Sequence, residues 1–197
     1  MQLLGVPERK ITVIYEAANP IFRPIDRHEA RAKLTQSYDL PERFVLFVST
    51  LEPRKNITTL VQAFYQLKDD YKLPHKLVLA GQKGWLFDDI FTTIARLNLE
   101  QDCVLLGRVP VEHLLYLYNA ADLLVHPAFY EGFGLPPLEA MACGAPVVAS
   151  NVSALPEVVG DAGLLIDPND VEGLEVAMYR MLTDAALRDE MIRKGLE

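Results

Sequence analysis

Seven short apolar runs recur along the chain, each separated from the next by enough residues for a helix. They are "ITVIY" (11–15), "FVLFVST" (44–50), "KLVLAG" (76–81), "CVLLG" (103–107), "DLLVHP" (122–127), "PVVAS" (146–150) and "GLLID" (163–167). Unbroken apolar character at strand length is what a strand covered on both faces requires. The intervening segments carry helical spacing: Leu60, Ala63, Phe64 and Leu67 form one stripe; Leu86, Ile90, Ile94 and Leu97 a second; Leu114, Leu115, Leu117 and Tyr118 a third. Val176, Met178, Met181 and Leu182 mark a late helix with Asn169 or Asp170 as its cap. Strands alternating with helices require right-handed crossovers, so the expected class is α/β, a doubly wound parallel sheet. Ligands bind such sheets in the loops at the carboxyl ends of the strands. Those loops are 49–56, 81–85, 107–111, 126–136 and 150–157. Residues 1–40, with "ANPIFRP" and the charged "IDRHEARAKL", read as a connector and a short leading helix, and 41–197 as the ligand-binding domain.

At 197 residues with 50% hydrophobic content, the chain can bury one core. A net charge of -8 excludes the broad basic face that nucleic acid demands. No apolar run reaches the roughly 18–20 residues of a membrane span, and the first residues lack the parts of a signal peptide. The two cysteines, Cys103 and Cys143, sit in apolar and helical runs and read as small buried hydrophobes, which fits a reducing, cytoplasmic setting. The stretch "GFGLPP" fails the dinucleotide fingerprint, since Pro137 replaces its third glycine and no strand immediately precedes it. There is no Walker loop, no G-x-S-x-G elbow and no Asp-x-Asp to seat a metal between phosphates, and the four histidines are isolated. The expectation is therefore no metal and no cofactor.

What remains is a constellation at the loop edge. In "STLEPRKN", Thr50 to Pro53 is expected to turn, Asn56 to cap the following helix, and Arg54 and Lys55 to stand at its mouth, where unpaired N–H groups and two cations suit phosphate. In "EGFGLPPLEAMACGAPVVAS", Gly132 and Gly134 bare the main chain. Pro136 or Pro137 suits the first helical position, with Glu139 in the first turn. Taken singly, Glu131 is a solvated loop acid and Glu139 an acid favoured by the helix dipole. Together, at one strand end, they point to one carboxylate for sugar hydroxyls and one for a ribose diol.

These motifs, with "NAADLLVHPAFYEGFG" and "SALPEVVGDAGLLIDPND", resemble the C-terminal donor-binding half of GT-B glycosyltransferases, specifically retaining family 4 (group 1). The likeness runs from about Ile11 to Ala186 and rests most on the Glu131-x7-Glu139 spacing and its glycines. It implies one Rossmann-like half of a GT-B fold, with the N-terminal acceptor domain outside this sequence. The substrate would be a nucleoside-diphosphate sugar, GDP-mannose favoured and UDP-glucose next, and the acceptor a glycan or lipid-linked glycan. Arg54 and Lys55 would hold the diphosphate, with the backbone of Gly132, Phe133, Gly134 and Leu135 beside it. Glu131 would contact the sugar, Glu139 the ribose, and Arg108, Val109 and Leu114 the base. His126 would line the pocket or the core. Many relatives carry Gly-Arg where Ser49 and Thr50 stand, so Arg54 is expected to replace a missing cation. A nucleotide-sugar 2-epimerase or a noncatalytic nucleotide-binding module are the alternatives.

Overall fold

The computed structural model describes residue 5 and residues 7–197. Six strands, β1 (Phe44–Val48), β2 (Lys76–Ala80), β3 (Cys103–Gly107), β4 (Leu123–His126), β5 (Val147–Ser150) and β6 (Leu164–Ile166), form one sheet in the order β3-β2-β1-β4-β5-β6. Every pairing is parallel. Eight α-helices accompany them: α1 (Arg27–Leu34), α2 (Ile57–Tyr71), α3 (Asp88–Arg96), α4 (Val111–Ala120), α5 (Leu135–Ala142), α6 (Leu155–Val159), α7 (Val171–Thr183) and α8 (Ala185–Gly195).

Strand β1 shows why its residues are apolar without a break. Val45 and Phe47 pack into one core layer with Phe64 of α2, Ile94 of α3 and Met178 of α7. Phe44, Leu46 and Val48 pack into the opposite layer with Leu34 of α1, Tyr118 of α4, Ala140 of α5 and Leu155 of α6. Each large side chain buried in this way contributes roughly 1.5–3 kcal/mol. Phe22, ahead of α1, lies in the second layer edge-on to Tyr118 at 5.6 Å between ring centroids.

Several expectations are corrected. Ile11–Tyr15 forms no strand: it is exposed, and the Tyr15 hydroxyl donates to Glu157 of α6. Val13, Ile14 and Tyr15 border a hollow beside α6 and join neither core layer. Leu86 precedes α3 at a left-handed φ of 49° and Val176 faces outward, so neither joins its expected stripe. Asp170 caps α7, accepting from the Gly173 amide at 2.8 Å, whereas Asn169 turns its own amides onto Asp167. Helices α6 and α8 add to the expected set, the second capped by Asp184 on the Leu187 amide. Both cysteines are buried and free. Among the described residues no helix is long and apolar enough to cross a membrane.

The strand order reverses between β1 and β4. The chain leaves β1 for the layer holding α2 and leaves β4 for the layer holding α5, so the two loops part and a crevice opens between them.

Candidate functional site

The loop after β1 continues the sheet before it turns. The Leu51 amide donates to the Gln82 carbonyl at 2.9 Å and Leu51 bridges Lys83. Gly81 permits this approach, since a Cβ there would stand 1.7 Å from the Ser49 carbonyl oxygen. The expected turn at Thr50 to Pro53 is therefore displaced to a 3-10 turn at Pro53–Lys55. Asn56 does not cap α2. Its backbone is left-handed (φ 59°, ψ 35°), which swings the side chain away, and its amide donates to the Pro127 carbonyl at 3.0 Å and the Pro168 carbonyl at 2.7 Å. The first amides of α2 thus have no side-chain cap.

That turn carries Lys55 inward. Its Nζ stands 2.5 Å from Glu131 Oε1, and both side chains are about nine-tenths buried. The same carboxylate oxygen lies 2.6 Å from His126 Nε2 at the end of β4. His126 is fully buried and stacked on Phe47, and its Nδ1 has no partner among the described residues. A proton on that nitrogen would be a buried orphan donor, so the imidazole carries it on Nε2 and donates to Glu131. Burial, partly offset by Glu131, lowers the His126 pKa and keeps the ring neutral. Burial alone would raise Glu131, but hydrogen bonds from His126 and Lys55 outweigh it and bring its pKa down to about 2. The Glu131 main chain is pinned as well: its amide donates to Ser153 Oγ at 2.9 Å, and that hydroxyl donates to the Glu131 carbonyl at 3.1 Å. Arg54 is more exposed. It donates to the Tyr130 carbonyl and to Glu52 Oε1, each at 2.7 Å, and lies 3.4 Å from Glu131 Oε2.

Glu139 sits differently. Helix α5 begins at Leu135 behind Gly134, whose left-handed φ of 112° leaves no room for a Cβ beside Leu155. Pro136 is therefore the second helical residue and Glu139 the fifth, past the first turn, so the helix-dipole explanation of its position falls away. Glu139 Oε2 instead accepts from the buried Tyr118 hydroxyl at 2.8 Å. Burial raises the Glu139 pKa and the Tyr118 hydrogen bond only partly offsets it. The prolines also reduce what the helix start can offer an anion. Pro136 and Pro137 have no N–H, which leaves the amides of Gly134 and Leu135.

Arg108, Val109 and Leu114 line a hollow of about 330 Å³ with Ser49, Thr50 and Gly81, at the carboxyl ends of β1, β2 and β3. Gly132 and Phe133 face elsewhere, lining a hollow of about 510 Å³ with Val13, Tyr15 and Glu157. Among the described residues no group of three or more His, Cys, Asp or Glu could hold a metal ion.

A doubly wound sheet with a cation–carboxylate cluster at its reversal point, and a separate hollow over the first three strands, has many relatives. The family model described as glycosyl transferases group 1 matches residues 29–197. The chain belongs to that family. It is 42% identical over its whole length to the O-antigen chain mannosyltransferase B of Escherichia coli, of which it covers 51%. Sucrose-phosphate synthase of Thermosynechococcus elongatus superposes with a TM-score of 0.79 at 34% identity, over 92% of this chain and 45% of that one. Anabaena HepE, solved with UDP and glucose, superposes with a TM-score of 0.83 at 25% identity, over 98% of this chain and 52% of that one. The chain thus spans about half the length of these relatives.

In this group 1 domain, the residues singled out in the sequence divide into four places. Arg54, Lys55, Glu131 and His126 meet in one cluster; Arg108, Val109 and Leu114 share one hollow; Glu139 stands on α5 against Tyr118, with Gly134 and Leu135 at the start of that helix; Gly132 and Phe133 line the other hollow. Sequence reasoning missed Ser153, Tyr118 and the loop-bridging role of Asn56. None of these carries a local motif, because each acts on a residue more than twenty positions away.

Proposed function

We propose that this chain is the nucleotide-sugar-binding half, residues 41–197 behind a connecting segment, of a retaining family 4 hexosyltransferase. The reading rests on one observation above all: a buried Lys55–Glu131 pair, joined by His126, at the reversal point of a parallel sheet. GDP-mannose is the first choice of donor, supported by the 42% identity to a mannosyltransferase. UDP-glucose is the second, supported by the relative solved with UDP and glucose. The acceptor, a glycan or lipid-linked glycan, belongs to an N-terminal domain outside this sequence.

When the bond between the anomeric carbon and the diphosphate oxygen breaks, the electron pair leaves with the phosphate, and the site must stabilise that charge. Arg54, Lys55 and the Gly134 and Leu135 amides do so without a divalent ion. Glu131, ionised above about pH 2, accepts hydrogen bonds from sugar hydroxyls throughout the physiological range. Glu139 spends one oxygen on Tyr118 and offers the other to the ribose diol. The base lies in the hollow of Arg108, Val109 and Leu114. Attack from the leaving-group face, with the phosphate taking the acceptor's proton, retains configuration.

Thermal melting with GDP and UDP tests the reading. A nucleotide at a hundredfold excess over its Kd stabilises by about 2.7 kcal/mol, a rise of roughly 5–10 °C for a domain of this size. GDP is expected to give the larger rise, and Glu139→Ala to weaken it about tenfold. Donor binding without transfer is expected of this half alone, since no acceptor is held beside the donor. No rise with either nucleotide would refute the assignment.

A further inference from the structure

At the amino ends of the strands, the pole opposite the proposed donor site, lies a hollow of about 680 Å³. Arg43, His75 and Asp122 enter it just ahead of β1, β2 and β4, and Arg27, Arg31 and Arg188 reach it from α1 and α8. The chain carries a net charge of -8, yet here four arginines face only Glu42 and Asp122.

The arginines are not equivalent. Arg27 pairs with Asp122 Oδ1 at 2.6 Å, and the other oxygen of Asp122 accepts from the Phe44 amide at 2.9 Å, so this carboxylate is neutralised and held. Arg31 donates to the Glu42 carbonyl at 3.2 Å. Arg43 and Arg188 have no side-chain partner among the described residues. His75 is 4% exposed, and its Nδ1 is a buried atom with no partner among the described residues. Its Nε2 stands 3.7 Å from Asp122, beyond a hydrogen bond. Burial lowers its pKa, Asp122 partly offsets this, and Arg43 and Arg27 add to the lowering, so the ring is neutral.

We propose that this hollow binds a phosphate-bearing anion, with Arg43 and Arg188 as charge-assisted donors and the neutral His75 ring in its wall. A planar carboxylate is satisfied by a single guanidinium fork, whereas phosphate takes donors from several directions, and arginines reach this hollow from ahead of β1, from α1 and from α8. Such an anion comes either from solution or from a lipid headgroup.

The four histidines supply the test. His75 and His28 line this hollow, and His126 sits in the donor cluster, so ring 15N signals report the two poles separately. Titration of the whole chain with inorganic pyrophosphate is expected to move the His75 signal, assigned with His75→Gln. The Arg43→Ala, Arg188→Ala double variant should weaken that response at least tenfold and leave the His126 response to GDP unchanged. Sedimentation with phosphatidylglycerol vesicles, against phosphatidylcholine alone, forms the second arm. A His75 shift without vesicle binding assigns a soluble phosphate; vesicle binding abolished by the double variant, without a pyrophosphate shift, assigns a headgroup. A still His75 together with no vesicle binding overturns the proposal, as does a double variant that matches wild type in both arms. A pyrophosphate shift at His126 alone, with no vesicle binding, overturns it while leaving the donor-site reading intact.

Discussion

Glu131 and Glu139 have the same side chain and stand eight positions apart in the sequence, yet the fold treats them in opposite ways. Glu131 shares one oxygen between an ammonium and an imidazole, and its main chain is pinned by Ser153. Glu139 has a single phenol. The first carboxylate is driven towards ionisation, the second towards holding its proton. Burial pushes both upward, so what separates them is the set of donors supplied by neighbouring loops. Two acids in one motif can thus be tuned apart without a change in their own chemistry.

The largest expected effect on this contrast comes from Glu131→Ala, which strands the Lys55 ammonium in a buried site. A loss of about 3–5 kcal/mol in urea unfolding is expected. Glu139→Ala frees one phenol and should lose about 1–2 kcal/mol. Equal losses would erase the distinction. A double-mutant cycle sharpens it further: Lys55→Met with Glu131→Gln should show coupling of roughly 1–3 kcal/mol, and Tyr118→Phe with Glu139→Gln roughly 0.5–1.5 kcal/mol.

Acid separates the two acids by sign. Glu131 has its folded pKa lowered to about 2 from 4.5, so its contribution is complete above pH 4.5 and fades as pH falls towards 2. Glu139 is raised, so its contribution is complete below 4.5 and fades as pH climbs through its folded value. Melting temperatures between pH 2 and 6 should therefore fall less steeply on acidification in Glu131→Gln than in wild type. A parallel pair of curves would show that the lysine and histidine contacts add nothing in solution.

The smallest effect on stability is expected from Arg54→Ala. Its own side chain is 41% exposed, and pairs made by so exposed a cation contribute about 0–1 kcal/mol. On the donor-binding reading, the same change should still weaken GDP affinity about tenfold by calorimetry. A stability loss as large as that of Glu131→Ala would make Arg54 part of the buried cluster.

Much of the architecture was legible because it depends on period. Strands buried on both faces announce themselves as unbroken apolar runs, and β1 to β6 all coincide with such runs. The run at Ile11–Tyr15 looks identical in sequence yet joins neither core layer, which no local pattern records. At the site, Lys55 and Glu131 were legible as types at strand ends. Their direct pairing was not, because a 3-10 turn displaced from the expected position decides where the ammonium points. Glu139 was placed one turn too early, since Gly134 and its neighbours set where α5 starts. His126 was ambiguous in sequence and proves to be core and site at once. Such a dual role is invisible without knowing which loop lies above it.

By clasping the carbonyls of Pro127 and Pro168 from the rim of α2, Asn56 fastens three strand exits with two hydrogen bonds. On the donor-binding reading, loss of that clasp would blur the pocket from outside it. An affinity screen would then credit Asn56 with touching the nucleotide, and distance from the ligand would be a poor guide to how far binding depends on a residue.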